Sequence, residues 1–242
     1  MPPRGDEDQI DFGFRTPPRR RKPRLGRPPK RTSGVPHLPR AVNPRFPLHV
    51  TLRVRPEVWQ LRSRRCFRVL DAAFRTATAN LDTRLAHFSV QHNHVHMIVE
   101  TRDARALARA LQGLCIRMAK GLNRVMNGRK GTVFADRYHS RPLRTPTEVR
   151  RAIVYVLQNA RKHFAQRGHR LSPGWMDECA SGAWFDGWTI PAGAPAESPP
   201  VAAARTWLLT TGWRERGGGP IRRDEMPVTA AVEPAPAQTF RR

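Results

Sequence analysis

Asn93-His94-Val95-His96-Met97-Ile98-Val99-Glu100 is the stretch on which the reading of this chain turns. It is short, apolar and β-branched, so it predicts a strand. Side chains alternate along a strand, which puts His94 and His96 on one face, one pleat apart. Two neutral imidazoles so placed can grip a divalent cation. The plainer reading is a polar strand face turned to solvent. Upstream, Arg84 to Gln91 reads as another strand, and His92-Asn93 as the tight turn of a hairpin between the two.

Working outward, Leu48, Val50, Leu52 and Val54 alternate with His49, Thr51 and Arg53, the pattern of a half-buried strand. A helix is predicted from Leu61 to Ala79, with Phe67, Leu70 and Phe74 on one side. A longer one is predicted over Ala104 to Met126, striped by Leu107, Leu111, Leu114, Met118, Leu122 and Val125. Its charged residues, Arg105, Arg109, Arg117, Lys120 and Arg124, lie mostly off that stripe. This is the pattern of a solvated face that can also touch phosphates. Asn127-Gly128 ends this helix, and Thr132 to Leu143 is expected to rejoin the sheet. Thr145-Pro146-Thr147-Glu148 is a capping box with proline at the first helical position. Val149, Ile153, Val156 and Ala160 form the buried side of the helix it opens. The order strand, helix, strand, strand, helix, strand, helix predicts an α+β fold: a ferredoxin-like (RRM-like) antiparallel sheet with helices on one face and an added C-terminal helix.

Lys+Arg number 44 against 19 Asp+Glu, a net charge of +25. Repulsion of that size points to a polyanionic partner. Charge alone admits a membrane surface, but no basic helix carries an aromatic apolar face. No run approaches the ~18 apolar residues that cross a bilayer, and the first residues lack the apolar core of a secretory signal. Cys66, Cys115 and Cys179 are scattered and odd in number, fitting neither a disulfide framework nor a zinc ribbon. Cys115 reads as a buried small hydrophobe. A reducing cytoplasm, close to the nucleoid, is the expected location.

Three segments follow from composition. Residues 1–45 read as a disordered basic arm, 46–166 as the folded core, and 167–242 as a partly disordered Pro/Gly/Trp-rich extension. In the arm, Arg19–Arg31 is densely basic. Its centre Leu25-Gly26-Arg27-Pro28 is a partial match to an AT-hook, with Leu25 in the place of the first arginine, so a polycationic tail is the simpler account. All tryptophans except Trp59 lie in the extension. Trp184-Phe185-Asp186-Gly187-Trp188 is dense enough for a small packed unit, the alternative being stacking on unpaired bases.

The chain has two tyrosines, Tyr138 and Tyr155. Tyr155 lies on the capped helix with Asn159 four residues on, so the two share a face. At ~100° per residue that face is about a quarter-turn from the apolar stripe, placing the phenol beside the core, within reach of a site at the sheet's edge.

The His94-Val95-His96 pair with a downstream Tyr155-Val156-Leu157-Gln158-Asn159 helix resembles the single-tyrosine HUH transposases, specifically the REP-associated tyrosine transposases. The resemblance runs from His49-Val50-Thr51 to His163 and includes Gly131-Thr132-Val133-Phe134 and Arg137-Tyr138-His139-Ser140-Arg141. The chain departs from the family in having Ala160 where proline often follows, and Gln91-His92-Asn93 before the histidine pair. The resemblance implies a fold and an activity: cleavage and rejoining of single-stranded or hairpin DNA through a 5′-phosphotyrosine. It implies Tyr155 as nucleophile and His94, His96 and Asn159 as ligands of Mg²⁺ or Mn²⁺. Phosphate or base contacts fall to Arg117, Lys120, Arg124, Arg137, Tyr138, Arg141 and Arg27, and the active form is a homodimer or a monomer. Two other readings share some of these features. A non-catalytic or domesticated DNA-binding protein needs only the charge. A replication initiator or relaxase shares the histidine pair, but the chain lacks a helicase-type phosphate loop.

Overall fold

Alternation in the strand sequences divides them between two cores. In β1 (Leu48–Arg53), Leu48, Val50 and Leu52 are buried on one side, and His49 and Thr51 look to the other. In β3 (His94–Thr101), Val95, Met97 and Val99 join the first side, while His94, His96, Ile98 and Glu100 belong to the second. β2 (Thr83–Val90) has a register shift between Leu85 and His87, so Ala86 and His87 both meet the second layer. With β4 (His139–Pro142) the sheet runs β2-β3-β1-β4, every pair antiparallel. That order, with α1 (Arg64–Ala77) after β1 and α2 (Ala104–Val125) after β3, is the ferredoxin-like arrangement read from the sequence. The computed structural model describes residues 42–77, 82–193 and 195–228. The run Arg19–Arg31, with Arg27, lies outside the described residues.

α1 and α2 pack together on the first face, driving Leu70, Phe74, Leu107, Leu114, Met118 and Leu122 against the sheet. Phe74 stacks on Phe88 at 4.1 Å between ring centroids. α1 is shorter than its periodicity predicts. Leu61 is buried but stands in the preceding turn, its amide donating to the His92 carbonyl at 2.9 Å, and the Ser63 hydroxyl accepts from the Cys66 amide at the helix start. Cys66 and Cys179 are buried and Cys115 only half-buried, all three as thiols.

The predicted last strand, Thr132 to Leu143, is split. Phe134 bridges to Val54, and the amide of Ala135 donates to Arg53, so the first part runs beside the end of β1. The chain then leaves the sheet at Asp136, whose carboxylate accepts from the Arg137 amide at 2.7 Å, and rejoins it at His139. A local side-chain-to-backbone bond prevails over strand propensity here.

α3 (Pro146–Gln166) has the cap its sequence predicts, with the Thr145 hydroxyl and Glu148 carboxylate bonded reciprocally across its first turn. It lies on the second face, over β2 and β3. Val149, Ile153, Val156 and Ala160 are buried as read. So are Ala152, Val154, Leu157, Gln158 and Arg161, because the chain beyond α3 covers the helix from outside. Phe185, Trp188, Trp213 and Ile221 complete this second core. The returning segment also runs along β2, the edge strand. The Val90 amide donates to Cys179, the Phe88 amide to the Ser181 hydroxyl, and the Ala202 amide to Leu85, which caps an otherwise exposed row of backbone groups. A fork of two bonds from Arg62 to the buried Asp177 carboxylate, 2.7 and 2.8 Å, pins its start.

Candidate functional site: an imidazole layer beneath Tyr155

Because α1 and α2 occupy the first face, the polar residues of β1 and β3 meet α3 on the second. The cross-strand pairs Thr51–His96 and Arg53–His94 set the histidines beside β1, and His49 and Thr51 also pair with Arg141 and His139 of β4. Three imidazoles therefore lie in one layer. His94 and His96 have ring centroids 4.6 Å apart, and His49 and His96 5.2 Å apart. Tyr155 descends on them from α3, its ring centroid 5.0 Å from that of His96 and 5.7 Å from that of His49. Its hydroxyl is 3.4 Å from His96 Nε2. The site stands over the two central strands. This corrects the expected place at the sheet's edge: the second face is closed by α3 and the returning chain, so its middle, not its margin, is where a helical side chain can meet β3.

The hydrogen bonds orient both histidines. Asn93 Oδ1, an acceptor, lies 2.8 Å from His94 Nδ1, which therefore carries the proton and leaves the lone pair on Nε2. His96 Nδ1 has two neighbours, Thr51 Oγ1 at 3.1 Å and His49 Nε2 at 3.2 Å. With Nδ1 donating to either, the His96 lone pair is on Nε2, toward the phenol. Outer contacts of this kind set tautomer and ring angle at sites where imidazole acts as a ligand.

All three rings are held neutral. Burial, with help from His49, His94 and His163, pushes His96 down to about 2. Burial, with Arg141 and His139 nearby, lowers His49 to about 4. Burial, with His163 and Arg53, does the same for His94. Burial raises the Tyr155 phenol, and the neighbouring Asn159 amide pulls the other way. An unfolded chain takes up protons on these histidines below about pH 6.5, whereas the folded chain refuses them until about 4. Stability is thus full above pH 6.5 and is lost as the pH falls toward 4. In chelator, urea unfolding at pH 5 should show a loss on the order of 4 kcal/mol relative to pH 7, about 2 from each of His49 and His96. An unchanged midpoint would mean the rings are solvated.

Asn159 is 1% exposed, and its amide nitrogen has no partner at hydrogen-bond distance, with the Tyr155 phenol as a neighbour of hydrogen-bonding character. A buried amide group without a partner is costly. Half a turn about its last bond would put a carbonyl oxygen at that point instead. Two neutral imidazoles and one amide oxygen make a donor set suited to Mn²⁺ and acceptable to Mg²⁺. Among the described residues no three His, Cys, Asp or Glu side chains gather as a metal cluster.

The other residues singled out in the sequence fall in different places. His92 is exposed in the hairpin turn. Arg141 shares the imidazole face and lies 3.5 Å from Glu148. Arg137 is exposed beside it in sequence, just ahead of β4. Tyr138 packs into the first core, on the opposite side of the sheet from Tyr155. Arg117, Lys120 and Arg124 are exposed on α2, also on that opposite side. Sequence reasoning missed His49, Thr51, Asn93 and His163 as members of the site. The first two had a visible signal: they alternate on β1 in the same pattern as the histidine pair on β3.

No family model and no curated protein matches the chain. Among solved structures it is similar to a REP-associated tyrosine transposase bound to a REP hairpin. That match has 15% identity and a TM-score of 0.39, over 49% of this chain and 68% of the other. It is also similar to a protein assigned as a transposase from Deinococcus radiodurans R1, with 10% identity and a TM-score of 0.35, over 57% of this chain and 98% of the other.

Proposed function

We propose that the protein is a single-tyrosine DNA strand-transfer enzyme of the HUH type, a transposase or a relative put to another use. The observation that carries this reading is the Tyr155 hydroxyl lying 3.4 Å from Nε2 of His96, over imidazoles kept neutral by burial. Charge supports the choice of substrate, since +25 over 242 residues favours a polyanion. The substrate is single-stranded DNA, including the unpaired parts of hairpins, because a phenol rooted in a helix must approach the backbone bond directly.

His94, His96 and Asn159 would hold a divalent cation, Mg²⁺ or Mn²⁺, which when bound offsets phosphate charge and polarises the phosphorus–oxygen bond. The chain's own residues do the rest. α3 aims the phenol, and Asn93 and Thr51 keep lone pairs pointed at the phosphate site. Burial holds the resting phenol protonated, so the nucleophile is idle until a strand is seated. Attack joins the Tyr155 oxygen to phosphorus and releases the 3′ oxygen as a hydroxyl. The 5′-phosphotyrosine keeps the energy of the broken diester, and a second 3′-hydroxyl can reverse the step. Ala160, in the place of the family's frequent proline, continues α3 without a break.

The test is incubation with labelled single-stranded hairpins drawn from DNA flanking the gene. A covalent protein–DNA band should form with Mn²⁺, form more slowly with Mg²⁺, and vanish with chelator. Tight DNA binding with no band under any of these conditions would leave a non-catalytic DNA-binding protein.

A further inference from the structure

The returning chain builds a second concavity that the imidazole layer does not use. A cleft of about 600 Å³ lies at the first turn of α3, lined among others by Arg45, Phe46, Arg144, Trp207 and Leu208. That volume is within the range of small-ligand sites, ~300–1,000 Å³. Phe46 and Trp207 give it aromatic walls, and Trp207 is 47% exposed where Trp188 and Trp213 are buried.

The exposed indole is held in place. Leu208–Gly212 forms a turn of π-helix, a rare conformation found disproportionately at functional sites. Its five-residue spacing brings Gly212 against the Trp207 ring, where a β-carbon would come within 2.6 Å of a ring carbon. The Arg216 guanidinium lies 5.6 Å from the ring centroid. The turn itself is anchored to the sheet. The buried Glu100 carboxylate accepts from the amides of Arg205 and Thr206 and from the Thr206 hydroxyl, at 2.7–2.9 Å for the shortest three. A flat surface so fixed loses little entropy when something stacks on it.

The rim is cationic. Arg45 and Arg144 are both exposed, and among the described residues neither guanidinium is in an ion pair, although Arg62, Arg150 and Arg214 all are. An immobilised π surface between two uncommitted guanidiniums matches a base flanked by phosphates. A purely apolar ligand would leave the arginines unused, and a duplex offers no base face to stack on.

We infer that this cleft holds one unpaired base of a DNA strand, stacked on Trp207, with its flanking phosphates on Arg45 and Arg144. The inference rests on the DNA reading given above and adds a second contact to it. Pro146 and Tyr155 are nine residues apart on α3, roughly 13 Å along the helix, so the held base would lie a few nucleotides from the bond at Tyr155.

The experiment is fluorescence anisotropy with a labelled all-thymidine strand in chelator, where no chemistry can occur. Trp207→Ala should weaken binding about tenfold and Trp207→Phe should restore most of it. A duplex of equal length should bind the Ala variant as it binds the parent. Arg45→Gln with Arg144→Gln should reduce the slope of log affinity against log salt by about 1.4. Trp207→Ala binding the thymidine strand like the parent, or losing strand and duplex alike, would overturn the inference. So would thymidine monophosphate competing as well as the strand does, or an all-uridine strand depending on Trp207 more strongly. Persistence of the covalent band with no effect of Trp207 would remove this inference alone. A Trp207 effect without any band would remove the enzyme reading alone.

Discussion

Tyr155→Phe should eliminate the covalent DNA adduct, reducing its rate by roughly three orders of magnitude or more, while Tyr138→Phe should form it at close to the parental rate. The expectation follows from geometry. The two phenols lie on opposite sides of the sheet, Tyr155 over the imidazoles and Tyr138 in the core beneath α1 and α2. Only the first can meet a phosphate bound near His94 and His96. Removing the Tyr155 hydroxyl gives up one long contact, 3.4 Å to His96, and leaves the ring, so folding should be unaffected. Matching thermal midpoints for parent and variant would confirm that only the hydroxyl has gone. Denaturing gels with end-labelled hairpin give the adduct directly. An adduct that survives in Tyr155→Phe and disappears in Tyr138→Phe would move the active site to the other face.

Trp213→Ala should destabilise the protein by about 3–5 kcal/mol, a large share of the 5–15 kcal/mol that folded domains possess. Trp213 is 1% exposed and is the keystone of the second core. Its indole nitrogen donates to the Leu209 carbonyl at 3.0 Å, and its ring packs on Phe185 at 5.6 Å between centroids. The Arg214 guanidinium lies 4.5 Å from the ring centre. At Gly187 the ring leaves no room for a β-carbon. Truncation to alanine opens a void between α3 and the returning chain that neither can fill by collapse, since both are tied elsewhere, α3 by its cap and the chain by Asp177 and Glu100. Urea unfolding followed by far-ultraviolet circular dichroism measures the loss. A change below 1 kcal/mol would mean that the returning chain is an ornament on the fold.

The near half of the molecule was legible because its signals are local. β1 announces itself by alternation, β3 by its β-branched apolar run, α2 by its stripe, and α3 by a capping box that the structure reproduces bond for bond. The register of β1 against β3 was not legible, since cross-strand pairing is non-local and one residue of slip reverses every face, so the visible alternation of His49 and Thr51 could not be tied to the histidine pair. The split of the last strand at Asp136 was hidden because a local side-chain-to-backbone bond competes with strand propensity. The second core was the least visible. Phe185, Trp188, Trp213 and Ile221 have no helical or strand period among them, so their sequence reads as loop even though their side chains are buried together. Nor does sequence spacing tell that Glu100, on the strand of the histidine pair, will seat the turn that carries Trp207.

The order in which these pieces leave the ribosome has a consequence of its own. The sheet and its α1–α2 cover are encoded up to residue 142, but the wall behind Ile98 and Val154 is supplied by residues 185–221. A nascent chain that has emerged only through α3 presents that apolar side to solvent or to a chaperone until residues 185–221 arrive. Translation pauses or early stops in that interval would therefore favour aggregation over a stable fragment.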